Sequence, residues 1–388
     1  MNILFTRALV CLVAVTTLYP APAGAQTRRA KPPAAAKPDA AAASYRGAVR
    51  DREIAAALSP IFVQGLGESP RFDYITRFDF DGDWKGDNNW KNSEDAKYPL
   101  LGYVYFDVKE TETHYLVHFA AFHPRDYKGG NAKGAILSEL MQEGARVGGK
   151  WDPTGLSQEA ILAHENDMEG CLVVAEKRGD NPLEARVVAV ETLAHNQFLK
   201  YAPEDAPREG VPAVSMKGQH ARLYVEPKGH GIEALAADEG QKKDAVNGTV
   251  NYKFAGAAED PEKRAGGPVG YDLVPLYTTI WPRARSVAPE TFGEQFAYTS
   301  VGFQAFASGK ESDRQVKVGA LGTAFLGKVG GRNMARPPWG WFDNDEKDRP
   351  LGEWYFDPAA VIKRHFKPAG GFSLVYVHNP ALGVFRNS

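Results

Sequence analysis

Apolar positions along the chain gather in short runs rich in β-branched and aromatic residues, separated for the most part by turn formers. Nine such segments stand out, at 101–108 (LGYVYFDV), 114–123 (HYLVHFAAFH), 171–177, 185–194, 221–227, 250–256, 271–277, 296–306 and 372–378, and each predicts a strand. A helical period is carried by 136–147 (ILSELMQEGARV), by the shorter 52–58 (REIAAAL) and by 358–366 (PAAVIKRHF). Many strands at short spacing with few helices predict a mainly β fold, an antiparallel β-sandwich with a few peripheral helices. No internal repeat is visible.

The N-terminal 44 residues follow a different rule. Arg7, the apolar run Ala8 to Tyr19 and the small residues Ala23, Gly24 and Ala25 have the layout of a cleavable signal peptide over 1–25. The run is about a dozen residues against the ~20 that a spanning helix needs, so the expectation is an exported protein, secreted or periplasmic. Residues 26–44 are Ala, Pro and basic residues with nothing to bury, which reads as a disordered linker. The β-sandwich core is expected over 45–290, and a C-terminal extension packed on it over 291–388. Within that extension, 330–359 is dense in Trp, Pro, Gly and acids.

Composition narrows the function classes. Of 2 cysteines, Cys11 lies inside the apolar run of the signal peptide, leaving Cys171, so no disulfide forms within the mature chain. Net charge is −2 with both signs interspersed, which gives no electrostatic footprint for nucleic acid. A monomer is expected. Seven of the 9 histidines (His114, His118, His123, His164, His195, His220 and His230) lie between 114 and 230, which puts the ligand chemistry in the middle third.

There the stretch HENDMEG (164–170) runs into the apolar CLVV. On a helix His164, Asp167 and Glu169 would scatter around the axis; on a strand Asp167 and Glu169 share a face, with His164 arriving from the turn before it. Two carboxylates side by side repel and are costly to desolvate unless protons or a cation neutralise them. The alternative is an acidic turn in solvent.

HENDMEG followed by CLVV resembles the Gly-His-Arg-His-Asp-Trp-Glu heptapeptide and following strand of the necrosis- and ethylene-inducing peptide 1-like proteins. Asn166 and Met168 stand where that motif has its second His and its Trp. VHFAAFHPRDYKGG upstream, and VVAVETLAHNQFLKYAPED and VGYDLVPLYTTIWP downstream, extend the resemblance over about residues 98 to 285. The resemblance implies a β-sandwich like those of actinoporins and fungal lectins, with a divalent cation at one end. It places the metal ligands at Asp126, His164, Asp167 and Glu169 and a further site histidine at His195. Members of that family known as cytolysins bind the sugar head group of plant membrane sphingolipids through the cation, so a glycan or glycolipid head group at a membrane surface is the implied partner.

A carboxylate-rich set with one or two imidazoles and no thiolate favours Ca²⁺ or Mg²⁺, or Mn²⁺, and leaves positions open for water or a sugar hydroxyl. Glu165, His195 and His230 are the residues expected to contact a ligand. His230 lies in LYVEPKGHGIEA with Glu226 and Glu233 near it, and its flanking glycines free the backbone to approach a ligand; the plainer reading is a histidine capping a strand end. A metal-dependent hydrolase or lyase with His195 or His230 as general base is the competing function. No G-x-S-x-G, P-loop or H-E-x-x-H accompanies it.

Other candidates read as structural. DFDGDWKGDNNW (79–90) carries Asp79, Asp81, Asp83 and Asp87, but Trp84 and Trp90 stand where a calcium loop needs Gly and Glu, so an aromatic turn is expected. His114 and His118 share one strand face and His123 the other, with packing as the default role. Cys171 is expected to be a buried small residue.

Overall fold

The computed structural model describes residues 47–127, 164–235, 244–264, 267–298, 318–329, 335–368 and 371–386. The signal peptide, the linker, the helix expected over 136–147 and the second half of the strand expected over 296–306 lie outside them.

The described residues form fifteen strands: β1 (Ile61–Gly65), β2 (Tyr103–Thr111), β3 (His114–Asp126), β4 (His164–Glu176), β5 (Arg186–Ala194), β6 (Gln197–Pro203), β7 (Ala213–Val214), β8 (Met216–Lys217), β9 (His220–Val225), β10 (Ile232–Ala234), β11 (Thr249–Phe254), β12 (Val269–Pro275), β13 (Phe292–Tyr298), β14 (Gly319–Phe325) and β15 (Tyr376–His378). Thirteen of them make one sheet in the order β10-β9-β1-β11-β12-β2-β3-β4-β5-β6-β7, with β15 on β2 and β8 on β9; β13 and β14 pair separately. The ends of the sheet come together: Ser215 N donates to Leu235 O and Arg222 N to Ser215 O, so the sheet is nearly closed.

The protein is mainly β with few helices. The expectation of an antiparallel arrangement is corrected: β1 and β9, β11 and β12, β12 and β2, and β6 and β7 all run parallel. An apolar run specifies a strand but not its direction, and these parallel partners are brought together by long-range closure that leaves no local signal. The central strands β2 to β5 are antiparallel. The expected helices at 52–58 and 358–366 are present as Ala48–Leu58 and Pro358–Phe366, the second begun by the Asp357 side chain, which accepts from Ala360 N.

Every residue of β3 is buried, and all of β4 except its last. Both faces are covered, which is why these strands read as apolar runs instead of alternating. Inside the nearly closed sheet, Val117, Phe119, Ala121, Cys171 and Val173 meet Phe62, Leu223, Tyr252 and Tyr271. On the other face, Leu116, Phe122, Met168 and Leu172 belong to a second core with Trp281, Trp339, Trp341 and Trp354. HENDMEG thus begins a strand with one face toward the interior of the sheet and the other toward the aromatic core.

Candidate metal centre

The centre lies where β3 and β4 reach the mouth of the interior. Their antiparallel register pairs Ala121 with Glu169, His123 with Asp167, Arg125 with Glu165 and Asp126 with His164, omitting Pro124 and Asn166. Directly opposed residues share a face, so His123, Asp167 and Glu169 continue the row begun by Phe119 and Cys171. The break at Asn166 is conformational. Its φ is 61°, a left-handed value that Asn adopts more readily than most residues. Its Nδ2 donates to Gly86 O and Leu326 O, both at 2.8 Å, and its Oδ1 accepts from Asn89 Nδ2 at 2.7 Å. His164 is therefore the first residue of β4 itself, and not part of a turn before it.

The imidazoles are oriented by what their outer nitrogens meet. His164 Nδ1 donates to Asn166 O at 2.7 Å, which directs Nε2 toward Asp126 Oδ2, 3.5 Å away. His123 Nε2 donates to Gln64 Oε1 at 3.0 Å, the amide being fixed because Gln64 Nε2 donates to Gly65 O and Glu226 O. His123 Nδ1 is left buried with no hydrogen-bond partner, and burial, with the charge of His230 beside it, holds this ring's pKa well below its ordinary value. Both rings carry the outer-shell hydrogen bond that fixes the tautomer of a metal-ligating histidine.

His230 stacks flat on His123, ring centroids 3.7 Å apart and 3° from parallel. It is fully buried, in a left-handed conformation with φ 54°. Its Nδ1 donates to Asp167 Oδ2 at 2.9 Å and its Nε2 lies 3.5 Å from Asp73 Oδ1. Burial alone would lower its pKa; the two carboxylates win and push it up to about 9. Asp73, also fully buried, accepts from Gly67 N, Tyr127 OH and Lys228 N as well. Among the described residues, His123, Asp167 and His230 have ligand atoms all within 4.8 Å of one another and form a candidate metal-binding triad.

Glu169 completes the acidic side. Its Oε1 accepts weakly from His195 N at 3.4 Å, and its Oε2 is buried without a partner. Burial, then Asp167, then Glu226 and Asp126 push this carboxyl well above the ordinary range. His195 itself occupies, with Asn196, the two-residue turn between β5 and β6, both with positive φ (52° and 58°) as a type I′ hairpin requires. Its side chain is 62% exposed, and Nε2 lies 2.7 Å from Glu226 Oε2. Gly231 sits beneath that pair: a Cβ there would stand 2.9 Å from Glu226 Oε2 and 3.2 Å from His195 Nε2.

The expected residues therefore separate. Asp167 belongs to the converging triad; Glu169, Asp126 and His164 line the adjoining side. His195 is on the exposed rim, while His230 is buried. Glu165 spends both oxygens as a latch, accepting from Trp90 N and Lys328 N at 2.7 Å each. Asp73, Gln64 and His123 were not legible as site residues, although the odd-number parity that His123 shares with Phe119 and Ala121 marks its face.

The remaining candidates are structural. Asp81 and Asp83 accept from backbone amides two residues on, and Asp79 pairs with Arg77, while Trp84 stacks on Phe78 and Trp90 packs under Arg125, so 79–90 is an aromatic turn. His114 packs on Phe372 and His118 between Trp354 and Tyr355. Cys171 is buried, and burial pushes its thiol up.

The donor set fits a cation. His123 Nδ1 and Glu169 Oε2 are buried lone pairs without donors, an arrangement that costs free energy unless something positive meets them. Around them stand Asp126, Asp167 and Glu226, against the charge of a protonated His230. Among the described residues no helix is long and apolar enough to cross a membrane, which leaves strand-based crossing unaddressed.

No protein-family model and no curated protein matches the chain. The chain is similar to solved structures of necrosis and ethylene-inducing proteins. One is described as NLPPya in complex with glucosamine, 16% identical, with 47% of this chain and 66% of that chain covered and a TM-score of 0.27. Another is the non-toxic HaNLP3 protein, 14% identical, covering 58% and 74%, with a TM-score of 0.28. A third is Necrosis and Ethylene inducing Protein 2 from the causal agent of cocoa's Witches Broom disease, 13% identical, covering 60% and 77%, with a TM-score of 0.26. The chain spans just under two thirds of the length of the first of these, and the centre described above rests on this chain's own residues.

Proposed function

We propose that the chain is a secreted protein that holds a divalent cation at the mouth of its sheet and engages a glycan or glycolipid head group through it, as a cytolysin-type effector at a membrane surface. The observation that carries the reading is Glu169: a buried carboxylate with an unpartnered oxygen beside Asp167. Carboxylates from Asp126, Asp167 and Glu169 suit Ca²⁺, Mg²⁺ or Mn²⁺. Asp167 is shared by this set and by the triad with His123 and His230. In the triad, His230 must first give up the proton that its two carboxylates retain to about pH 9, which disfavours it as a ligand at neutral pH.

When bound, the cation supplies a point of positive charge for sugar hydroxyls. The chain's own residues orient the ligand: the exposed His195–Glu226 pair offers a donor and acceptors at the rim. Solved structures described as NLPPya in complex with glucosamine and with mannosamine name the class of sugar to try first. The test is divalent metal analysis of the purified protein and of Asp167→Ala, followed by leakage from glycolipid vesicles with and without chelator. No stoichiometric divalent ion in the wild type would sink the proposal.

One observation favours a second reading, a metal-dependent hydrolase or lyase acting on a glycan or lipid. His195, exposed and held by a carboxylate, has the arrangement of a general base, whereas His230 is buried between two carboxylates. Metal-dependent product detected by mass spectrometry, and lost in His195→Gln, would favour the enzyme.

A further inference from the structure

The C-terminal segment builds a cavity that the cation centre does not use. Phe198 of β6, residues 341–354 and the helix Pro358–Phe366 enclose about 310 Å³, at the small end of the range for small-molecule sites. Aromatic rings form much of its lining. Phe198 and Trp354 stack with centroids 4.8 Å apart and planes 8° from parallel, and Trp341 and Phe342 add two further rings.

Four charged or titratable groups of this cavity, Arg364, His365, Glu346 and Glu353, are tied together. Arg364 donates to Glu346 at 2.9 Å and to Glu353 at 3.0 Å. His365 sets Nε2 2.8 Å from Glu346 and Nδ1 against Glu191; Glu191, fully buried, also accepts from Trp354 Nε1 at 2.7 Å. The fixed charges of the lining are Asp343, Glu346 and Glu353 against Lys347, Arg349 and Arg364, three acids and three bases, so the cavity has no excess of fixed charge with which to select an ion. It keeps directional capacity, because each carboxylate oxygen has a second lone pair.

The partly exposed rings of Phe198 and Phe342, beside fixed planar donors and acceptors and with formal charge balanced, suit one ligand chemistry. A pyranose ring presents C–H faces to aromatic planes and equatorial hydroxyls to carboxylate and guanidinium edges. A simple anion would lack the aromatic contacts and meet no excess of positive charge. An apolar ligand would desolvate the carboxylates of the lining without replacing their hydrogen bonds.

We infer that this cavity is a second carbohydrate subsite, independent of the cation, that takes an uncharged pyranose. Its wall is fastened to the elements carrying the cation centre: Trp341 Nε1 donates at 3.0 Å to the carbonyl of Met168, between Asp167 and Glu169, and Asn344 N donates at 2.9 Å to the carbonyl of Asn196, next to His195. The inference goes beyond the cation reading and does not rest on it.

The test is calorimetric titration of the full chain, in chelator, with the methyl glycosides of glucose, galactose, mannose and N-acetylglucosamine. At least one is expected to saturate a site in chelator and equally in Asp167→Asn without chelator. Phe342→Ala and Glu346→Gln, each checked by circular dichroism for an intact fold, are expected to weaken that binding tenfold or more. Absence of chelator-resistant binding across the panel overturns the inference. So does binding that both cavity variants leave unchanged, or that Asp167→Asn abolishes. A protein without metal that still binds a glycoside in this way would remove the cation reading and leave this one standing.

Discussion

Asp167 and His123 stand opposite each other on adjacent antiparallel strands, and His230, arriving from the loop between β9 and β10, stacks on the imidazole while bonding the carboxylate. A cross-strand pair with a charge clamped over it is a strained economy. His230 is the sole buried cation between Asp167 and Asp73, and removing one partner of a buried ion pair typically costs about 3–5 kcal/mol because it strands the other charge. His230→Gln is therefore expected to lower unfolding stability by about 3 kcal/mol in chelator, measured by urea denaturation, and divalent ion should recover part of the loss through Asp167. A loss under about 1 kcal/mol would mean the clamp is not the neutralising element.

Asn166 supports this geometry without being one of the candidate ligands. Ala at that position would keep the left-handed φ at a cost of about 1–2 kcal/mol and leave the carbonyls of Gly86 and Leu326 without their donor, a further penalty of about 1–3 kcal/mol each when buried. Gly would relieve the first cost and not the second. Both variants should destabilise, with Asn166→Gly about 1 kcal/mol milder than Asn166→Ala in chemical denaturation. Equal effects would show that the backbone conformation is not under constraint.

The strand runs and the shared face of Asp167 and Glu169 were legible because a period of two needs no partner to be read. The position of His164 was not, because the left-handed Asn166 makes an irregularity inside β4 where the sequence suggested a turn ahead of it. His123 escaped for a different reason. Its opposition to Asp167 depends on a register set across the whole connection from Asp126 to His164, and no spacing in the sequence reports that. Asp73 and the burial of His230 depend on closure of the sheet, the same long-range event that makes β1–β9 and β12–β2 parallel. What local chemistry can specify, the sequence showed; what topology brings together, it did not.

Asp357 offers a test by pH away from the cation centre. Burial pushes its carboxyl up to about 7, against the hydrogen bonds from Tyr376 and Ala360 that favour the ionised form. A buried acid with a raised pKa binds its proton more tightly in the folded state, so its contribution is fully present below pH ~4 and is lost as pH rises toward 7. Three units correspond to roughly 4 kcal/mol as an upper figure. Asp357→Asn cannot titrate and should gain on the wild type steadily between pH 4.5 and 7, then hold constant, at about the range where stability can be measured by urea unfolding. A difference that does not change with pH would show that Asp357 is ionised throughout.

Glu169 gives the sharpest contrast between stability and function. In chelator its carboxyl is buried beside Asp167 with one oxygen unanswered, a desolvated acid that works against the fold above the ordinary carboxyl range. Glu169→Gln keeps an oxygen for the amide of His195 and turns an N–H₂ toward the neighbouring carboxylates, so the cation-free variant should be more stable than the wild type, by about 1 kcal/mol on the scale of one added hydrogen bond. With saturating Ca²⁺ or Mn²⁺ the order should reverse, because ion that binds only the folded state stabilises by RT ln(1 + [L]/Kd) and the variant loses much of its affinity. Thermal midpoints in the two conditions report the crossing directly. A Glu169→Gln protein that melts below the wild type in chelator as well would show that this carboxylate is held by the fold for its own sake, and would leave the cation without its strongest argument.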